Sequence, residues 1–365
     1  MSILKYIFKT KKHSITNYAD FWRWFKNNEK AFFKTVKSGE NIERDFFDKL
    51  SSKLSELRDG FYYLAGMIDE DTAELVLTAD GAIENIVYVE ELVDAAPHIP
   101  GWKFTALKPA MDIKDVGIKM GDYVFHDENL SFYANEHPNL PDEIDITVVY
   151  PDFDEDNKSS VINGVYVFLD NFLGELNFVT TIDNLTVIGP TDATSELVPI
   201  AKLKDFLIWR QKEFAEKYEV LRYDSKNDVY STLSAELENG RSLTAVVNAT
   251  LLEWDGKASH PWMLNVEIQI PGEESSGKPD DSVFHLLEQI EEEMMEELKE
   301  ADGYLNAARR TSENSRNIYF VCQDFRKPSK VADHLKRKYS DKFGISFSIY
   351  KDKYWQTLDQ FRVNY

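Results

Sequence analysis

The sequence predicts an α+β fold: two ferredoxin-like domains, each made of split β-α-β units with an antiparallel sheet, preceded by an N-terminal helical pair. The first observation is that helical and strand patterns recur as β-α-β, strand, β-α-β in each half of the chain. In this order the helices pack on one face of an antiparallel sheet. The second observation is the length of 365 residues, which exceeds what one hydrophobic core usually organises. We therefore expect two domains.

The N-terminal helical pair is predicted over residues 1–59, where it packs on the first domain. Aromatic residues recur at helical spacing over residues 17–37, namely Phe21, Trp24, Phe25 and Phe32. Asn17 suits the N-cap of this helix, and a second helix is predicted over residues 40–58, after Gly39. Aromatic side chains at this spacing indicate a buried face rather than a cofactor site.

The first α+β domain is predicted over residues 60–190. Its strands alternate apolar and polar positions, and its helices carry apolar residues at helical spacing. The predicted elements are, in order, strands in "FYYLAGMI" and "TAELVLTAD", a helix over 84–96, a strand in "GWKFTALKPA", a hairpin in "GDYVFHDENLSFYAN", a strand in "EIDITVVYP", a helix over 157–174, and in "LNFVTTIDNLTVIG" a closing strand pair or one long strand.

A linker is predicted over residues 191–201, in a stretch that collects Gly, Pro, Thr and Ser. The second α+β domain follows over residues 202–365, and Asn239-Gly240 is its strongest hairpin signal. The predicted elements are a helix over 202–218, two strands joined at that dipeptide, a strand in "WMLNVEIQI", a helix over 281–300, strands over 303–310 and 317–325, a helix over 328–341 opened by Pro328, a strand over 344–350 and a short C-terminal helix.

The composition predicts a soluble cytoplasmic protein. Acidic residues number 64 against 42 basic ones, which gives a formal net charge of −22. This charge repels phosphate backbones and anionic lipid surfaces, so we expect neither nucleic acid nor membrane as a partner. No apolar run reaches the roughly twenty residues of a membrane span, and no secretory leader is recognisable. The acidic surface favours solubility; alternatively, it docks a basic protein or mimics a nucleic acid.

Sequence motifs of the common catalytic and cofactor sites are missing. The sequence has no GxxxxGK(S/T) or strand-linked GxGxxG phosphate loop, no HExxH metal motif and no GxSxG nucleophile elbow. We therefore expect no cofactor, no metal site and no catalytic residues, and we favour a non-enzymatic protein. Cys322 is the only cysteine, which excludes an intrachain disulfide. Its apolar surroundings in "IYFVCQDF" predict a buried, inert thiol rather than a reactive partner of His334.

The predicted helix over residues 281–300 has a strongly acidic outer face. Glu288, Glu292 and Glu296 form its candidate docking face for a partner with a basic surface. A solvated face is the alternative, because neighbouring glutamates on a helix fan outward and do not converge on one cation.

Basic residues gather in the last quarter of this acidic chain and define a candidate anion site. The candidate anion- or ligand-binding residues are Arg309, Arg310, Arg316, Lys257 and His260. Guanidinium groups bind carboxylates and phosphates with paired hydrogen bonds, which is the reason to consider a ligand here. The alternative is that these arginines pair with the acidic helix over 281–300.

The connection "LLEWDGKASHPW" lies between two predicted strands. Asp255-Gly256 has the chemistry of a turn, and Pro261 forces His260 towards an extended conformation. The prediction is that Trp254 and Trp262 cap the open end of the sheet core. A binding role for His260 requires that it lies near the arginines around residue 310.

Several long phrases resemble a bacterial domain family of unknown function, number 695. They are "LENGRSLTAVVNATLLEWDGKASHPWMLNVEI", "DGYLNAARRTSENSRNIYFVCQDFRKPSK" and "IYKDKYWQTLDQF". The upstream phrases "FYYLAGMIDEDTAELVLTADGAIENIVYVEELVDAAPHIPGWKFTALKPA" and "DEIDITVVYP" resemble the amino-terminal half of longer members. The resemblance implies a distant analogy to regulator of ribonuclease E activity B, a small acidic ferredoxin-like protein that binds a nuclease. It carries over no functional residue.

Two functional hypotheses follow from these observations. The first is a non-enzymatic cytosolic regulatory or protein-interaction module whose acidic surface binds a basic protein. The second is an enzyme or small-ligand binder that uses the arginine-rich anion site beside the His260 loop. The distance between His260 and the arginines separates the two hypotheses.

Overall fold

A computed structural model describes residues 14–236, 242–270, 281–312 and 314–362. The chain is mixed helix and strand, so the predicted α+β class is confirmed. It divides into two compact units, of which the first ends at Lys108 and the second begins at Pro109. This division differs from the predicted one. Residues 191–201, predicted as a linker, contain a short strand and the fully buried Ile200 of the second unit's core.

From residue 14 onward, the first unit packs three α-helices with a three-stranded sheet. Asn17 caps the first helix, since its side-chain oxygen accepts a hydrogen bond from the Asp20 N–H at 2.9 Å. Phe21, Phe25 and Phe32 are buried, as predicted, whereas Trp24 is only half-buried. The elements are α1 (Tyr18–Ser38), a π-helical turn (Glu43–Phe47), α2 (Asp48–Leu57), β1 (Tyr62–Met67), β2 (Ala73–Thr78), α3 (Ile83–Asp94) and β3 (Trp102–Ala106). β1 pairs with β2 antiparallel, and β3 pairs with β2 in parallel.

The second unit begins with a small hairpin and a four-stranded sheet. The elements are β4 (Ile118–Met120), β5 (Tyr123–Phe125), β6 (Ser131–Asn135), β7 (Asp145–Val149), α4 (Lys158–Leu173), α5 (Glu175–Thr181), β8 (Asn184–Ile188) and β9 (Val198–Pro199). The four-stranded sheet has the order β8-β7-β6-β9, and only its β7–β8 pair is parallel.

Three predictions for residues 60–190 are wrong. The strands of this range lie in three sheets, and its two parallel pairs are directly adjacent rather than split by a third strand. The predicted hairpin over residues 121–135 is instead β4–β5, while β6 pairs with β7. The predicted closing strand pair is α5 followed by β8, because the β-branched residues before β8 pack as a helix on α4, with Phe178 edge-on to Tyr166 at 5.7 Å.

A six-stranded antiparallel sheet forms the rest of the second unit, after helix α6 (Leu203–Tyr218). Its elements are β10 (Tyr230–Glu236), β11 (Ser242–Asn248), α7 (Ala249–Leu252), β12 (Trp262–Gln269), α8 (Asp281–Glu297), β13 (Tyr304–Thr311), β14 (Ser315–Cys322), α9 (Arg326–Lys338), β15 (Gly344–Lys351) and a 3₁₀ helix (Gln356–Phe361). The sheet order is β10-β11-β13-β14-β12-β15. The predicted strands on either side of Asn239-Gly240 do pair, but that dipeptide and residues 271–280 lie outside the described residues.

This strand order interleaves two split β-α-β units. β14 lies between β12 and β13, which α8 connects, and β12 lies between β14 and β15, which α9 connects. The face of the sheet opposite α8 and α9 carries a core that includes Trp355, Leu358 and Phe361 of the C-terminal segment. The edge strand β15 ends at Lys351, and this residue lines the candidate functional site. In the part of the chain that the structure describes, no helix is long and apolar enough to cross a bilayer.

Candidate functional site

A cleft of about 480 Å³ lies inside the second unit, between helix α6 and the end of edge strand β15. We call it the lysine cleft. Its lining residues are Pro141, Asp142, Ile144, Leu176, Thr180, Thr181, Arg210, Gln211, Glu213, Phe214, Lys217, Pro261, Trp262, Asp324, Phe325, Arg326, Lys351 and Lys353. Clefts of this size accept small organic ligands.

Two lysines in the wall of the cleft share one carboxylate. The Lys351 Nζ lies 2.5 Å from Oδ1 of Asp183, and the Lys353 Nζ lies 2.7 Å from Oδ2. Lys351 also donates to the carbonyl of Thr181 at 3.2 Å, and Lys353 donates to the carbonyl of Asp142 at 2.7 Å. Both side chains point to the same side, since both ammonium groups contact the Asp183 carboxylate. All three charged groups are buried or nearly so.

The environment of Lys351 gives it a larger neutral fraction than an ordinary lysine has, although the protonated form still predominates at pH 7. Burial lowers the pKa of this amine from 10.5 to about 8, and the positive charge of Lys353 acts in the same direction. The carboxylates of Asp183 and Glu143 oppose this shift without cancelling it. A lysine of lowered pKa in a cleft is a marker of a functional site.

A second, largely buried carboxylate, Asp142, joins helix α6 to the C-terminal segment. Its Oδ1 accepts from Lys217 at 2.8 Å, and its Oδ2 accepts from the hydroxyls of Tyr218 and Tyr354 at 2.8 and 2.7 Å. Burial raises the pKa of Asp142, but the three hydrogen bonds outweigh burial and leave the pKa below its usual value. This network fixes the wall of the cleft that α6 provides.

The described lining of the cleft is richer in cationic side chains than the chain as a whole. Five cationic side chains line it against three carboxylates, with Asp183 as a fourth carboxylate behind the lysines. The whole chain carries 64 acidic and 42 basic residues. The cationic lining residues are Arg210, Lys217, Arg326, Lys351 and Lys353. Aromatic rings form the apolar part of the lining. Among them, Trp262 packs edge-on against Phe325, with ring centres 4.8 Å apart.

The predicted arginine site is not assembled in one place. Arg309 donates to Glu291 of α8 at 3.0 Å, whereas Arg310, next along β13, donates to Gln360 on the opposite face of the sheet at 2.8 Å. Arg316 is buried; its Nε donates to Thr311 at 3.1 Å, and its guanidinium lies 5.1 Å from the ring centre of Phe284. The alternative pairing with the acidic helix is thus present for Arg309.

His260 lies far from Arg316. It precedes β12 at the Trp262 end, whereas Arg316 pairs with Ile268, six residues further along that strand. At about 3.3 Å per residue, that is a separation of about 20 Å. His260 is 2% exposed, contacts Ser259 Oγ through Nδ1 at 2.9 Å and lies edge-on to Trp254 at 5.3 Å. Burial, with the charge of Arg222, lowers its pKa to about 4, so it is neutral at pH 7.

The rest of the "LLEWDGKASHPW" connection is structural. Asp255-Gly256 joins two short helical turns rather than two strands directly. Trp254 packs on Trp355 at 6.1 Å between ring centres, next to the core on that face of the sheet, as the capping prediction requires. Trp262 instead lines the lysine cleft. Burial lowers the pKa of Lys257, with a further contribution from the charge of Arg362.

The acidic helix presents part of its predicted docking face to solvent. Glu292 and Glu296 are exposed, and Glu288 is half-buried with an oxygen 4.0 Å from His285 Nδ1. Two neighbouring glutamates point inward instead: Glu291 is buried on Arg309, and Glu293 pairs with Lys338 at 2.8 Å.

Sequence reasoning missed Asp142, Asp183, Lys351 and Lys353. The one local signal was "YKDKY", where two lysines alternate at a strand end. Their shared carboxylate comes from a residue about 170 positions earlier, which sequence spacing does not reveal. Cys322 is buried as predicted, and burial raises the pKa of its thiol.

Fold and site define an α+β protein with a cationic cleft in its second unit. Residues 232–362 match a family model described as "Family of unknown function (DUF695)". This match supports the resemblance of the C-terminal phrases; it contains Lys351 and Lys353 but not Asp142, Asp183 or α6, so it covers one wall of the cleft. No curated protein and no solved structure matches the chain.

Proposed function

We propose that the protein binds a small ligand that carries an acidic group and that the lysine cleft holds this group. The observation that supports the proposal is the local excess of cationic side chains in a chain of net charge −22. A strongly acidic protein repels anions in general, so a cleft lined by five cations is the favoured place for one. This proposal keeps the ligand-binding hypothesis but moves its site away from Arg309, Arg310, Arg316, Lys257 and His260.

The cationic groups of the cleft suit an acidic group, and its aromatic rings suit the organic remainder of a ligand. Ammonium and guanidinium groups form charge-assisted hydrogen bonds to carboxylate, sulfate or phosphate oxygens. The rings of Phe214, Trp262 and Phe325 offer apolar surface to the remainder of the ligand.

Calorimetric titration with sulfate tests the proposal, because sulfate keeps its charge over the working pH range. We expect saturable binding to the full-length protein at pH 7 and a loss on the order of tenfold in affinity for Lys351→Met, since one charged hydrogen bond is removed. Lys212→Met is the matched control: Lys212 is 75% exposed on α6 and pairs only weakly with Glu216 at 3.8 Å. Equal affinity of both variants, or no saturable binding, contradicts the proposal.

A second candidate function is docking of a basic protein on the acidic face of α8. The specific observation in its favour is that Glu292 and Glu296, one helical turn apart, are exposed. We expect a variant with Glu288, Glu292 and Glu296 changed to lysine to lose a basic partner that the wild type captures at low salt. A control with Glu40, Glu196 and Glu216 changed to lysine has the same net charge and keeps the partner. Capture that is equal for both variants removes this candidate.

We also propose that residues 262–351 form a ferredoxin-like domain, for which the interleaved order of β13, β14, β12 and β15 is the support. The analogy to regulator of ribonuclease E activity B rests on this order and on the acidic composition alone. The same net charge supports a cytoplasmic protein without nucleic-acid or membrane partners. Cross-strand contacts measured by nuclear magnetic resonance that give a different strand order contradict the fold proposal.

A further inference from the structure

We propose that Lys351 is a carbonyl-reactive amine that forms an imine with a small oxo acid held in the lysine cleft. The inference rests on the proposed function, because the acidic group of the ligand must first be held by the neighbouring cations. It adds a second requirement, a carbonyl group, and so narrows the ligand class to oxo acids.

The position of Lys351 supports this role. It is the last residue of β15 and lines the cleft, while its side chain is only 11% exposed. Its Nζ lies between the carboxylate of Asp183 and the carbonyl of Thr181, so the amine is held in one place at the wall. A fixed, largely buried amine beside a second ammonium is an arrangement that activates lysine as a nucleophile.

The protonation state agrees with the geometry. With a pKa of about 8, roughly one tenth of Lys351 is neutral at pH 7, whereas an ordinary exposed lysine is almost wholly protonated. Lys353 contributes to this by its charge, and both of its own hydrogen bonds, to Asp183 and to the Asp142 carbonyl, are 2.7 Å long. Lys351 Nζ lies 2.5 Å from the Asp183 carboxylate and 3.2 Å from the Thr181 carbonyl oxygen, so both amines are held at the wall of the cleft.

The reaction balances without any further reagent. The Nζ lone pair forms a bond to the carbonyl carbon, and one proton passes from nitrogen to the carbonyl oxygen, which gives a carbinolamine. The hydroxyl then leaves as water with one more proton, and the nitrogen lone pair forms the C=N bond. Asp183, 2.5 Å from Nζ, is placed to accept the proton from nitrogen and to return it to the leaving hydroxyl. One amine and one carbonyl yield one imine and one water.

Reductive trapping tests the inference. The full-length protein is incubated with pyruvate and sodium cyanoborohydride, and the adducts are located by peptide mass spectrometry. We expect one adduct on Lys351 at pH 7, protection by excess sulfate, and no adduct in Lys351→Met. Exposed lysines such as Lys212 remain unmodified over the same time. Trapping spread evenly over exposed lysines, or absent from Lys351, overturns the inference.

A second variant, which retains Lys351, tests the inference even if Lys351→Met fails to fold. In Lys353→Met, the nearby positive charge is gone, so the pKa of Lys351 rises. We expect trapping at Lys351 to slow severalfold at pH 7 and to approach the wild-type rate at pH 9.5. The same rate as the wild type at both pH values contradicts the arrangement. If sulfate binds and its affinity depends on Lys351 while no adduct forms, the imine is refuted and the acid-binding site stands.

Discussion

His260 makes the stability of the second unit depend on pH, and the size of the effect follows from its pKa. The folded protein holds this imidazole at a pKa of about 4, against 6.5 for an unperturbed histidine, because the ring is buried between Trp254 and Ser259. Below pH 6.5, His260 binds a proton in the unfolded chain. In the folded chain it stays neutral until the pH approaches about 4. The free energy of unfolding therefore falls as the pH drops through this window.

The perturbation is His260→Gln, which keeps a polar side chain and removes the titration. The pKa of His260 is about 2.5 units lower in the folded protein than in the unfolded chain. Between pH 7 and pH 4.5, this difference lowers the free energy of unfolding of the wild type by about 2.5 kcal/mol. Over the same pH interval, we expect the free energy of unfolding of His260→Gln to fall by about 2.5 kcal/mol less than that of the wild type. The difference between the two proteins isolates His260, because every other titrating group is common to both.

Hydrogen exchange followed by mass spectrometry is the assay, read at the slowest amides of β12 and β14. These central strands report the opening of the second unit separately from the first. His285→Gln is the matched control, since it makes the same substitution at a histidine that is 80% exposed on α8. If wild type and His260→Gln lose the same stability between pH 7 and pH 4.5, the reasoning about His260 is refuted.

Three further predictions concern packing and pairing in the same unit. Arg309→Met leaves the buried Glu291 without its paired arginine and lowers the free energy of unfolding by about 2 kcal/mol. Arg310→Met lowers it by less than about 1 kcal/mol, since Arg310 donates to the neutral Gln360. Urea denaturation that gives the same free energy of unfolding for both variants contradicts this. Gly164→Ala places a Cβ 2.1 Å from the Phe125 ring and costs about 1–3 kcal/mol, while Gly117→Ala meets nothing within 4 Å; comparable melting temperatures for the two variants contradict this. Cys322, fully buried in β14, reacts with a thiol reagent only at the rate at which the unit opens, and a fast reaction in the native protein contradicts its burial.

Local patterns predicted the elements that local forces decide. The helix over α1 followed from its aromatic spacing and its Asn17 cap, and both are present. The strands β10 and β11, on either side of a strong turn signal, pair as predicted. In these segments, propensity, patterning and tertiary packing agree.

Predictions failed where distant parts of the chain decide the outcome. The β-branched residues "VTT" of α5 favour a strand, but packing on α4 makes them helical. The arginines of β13 are adjacent in sequence, yet alternation along the strand sends Arg309 and Arg310 to opposite faces. The lysine cleft depends on Asp183 meeting Lys351 and Lys353 across the fold, so no local pattern could predict it.

The pH dependence of sulfate affinity decides whether the lysine cleft holds an acidic group. Calorimetric titrations from pH 6 to pH 9.5 follow an anion whose charge is constant while Lys351 titrates at about 8. We predict constant affinity below pH 7, a decline on the order of tenfold as the pH passes through 8, and weak binding without this decline in Lys351→Met. Affinity that is the same at every pH, or a decline that persists in Lys351→Met, contradicts the account.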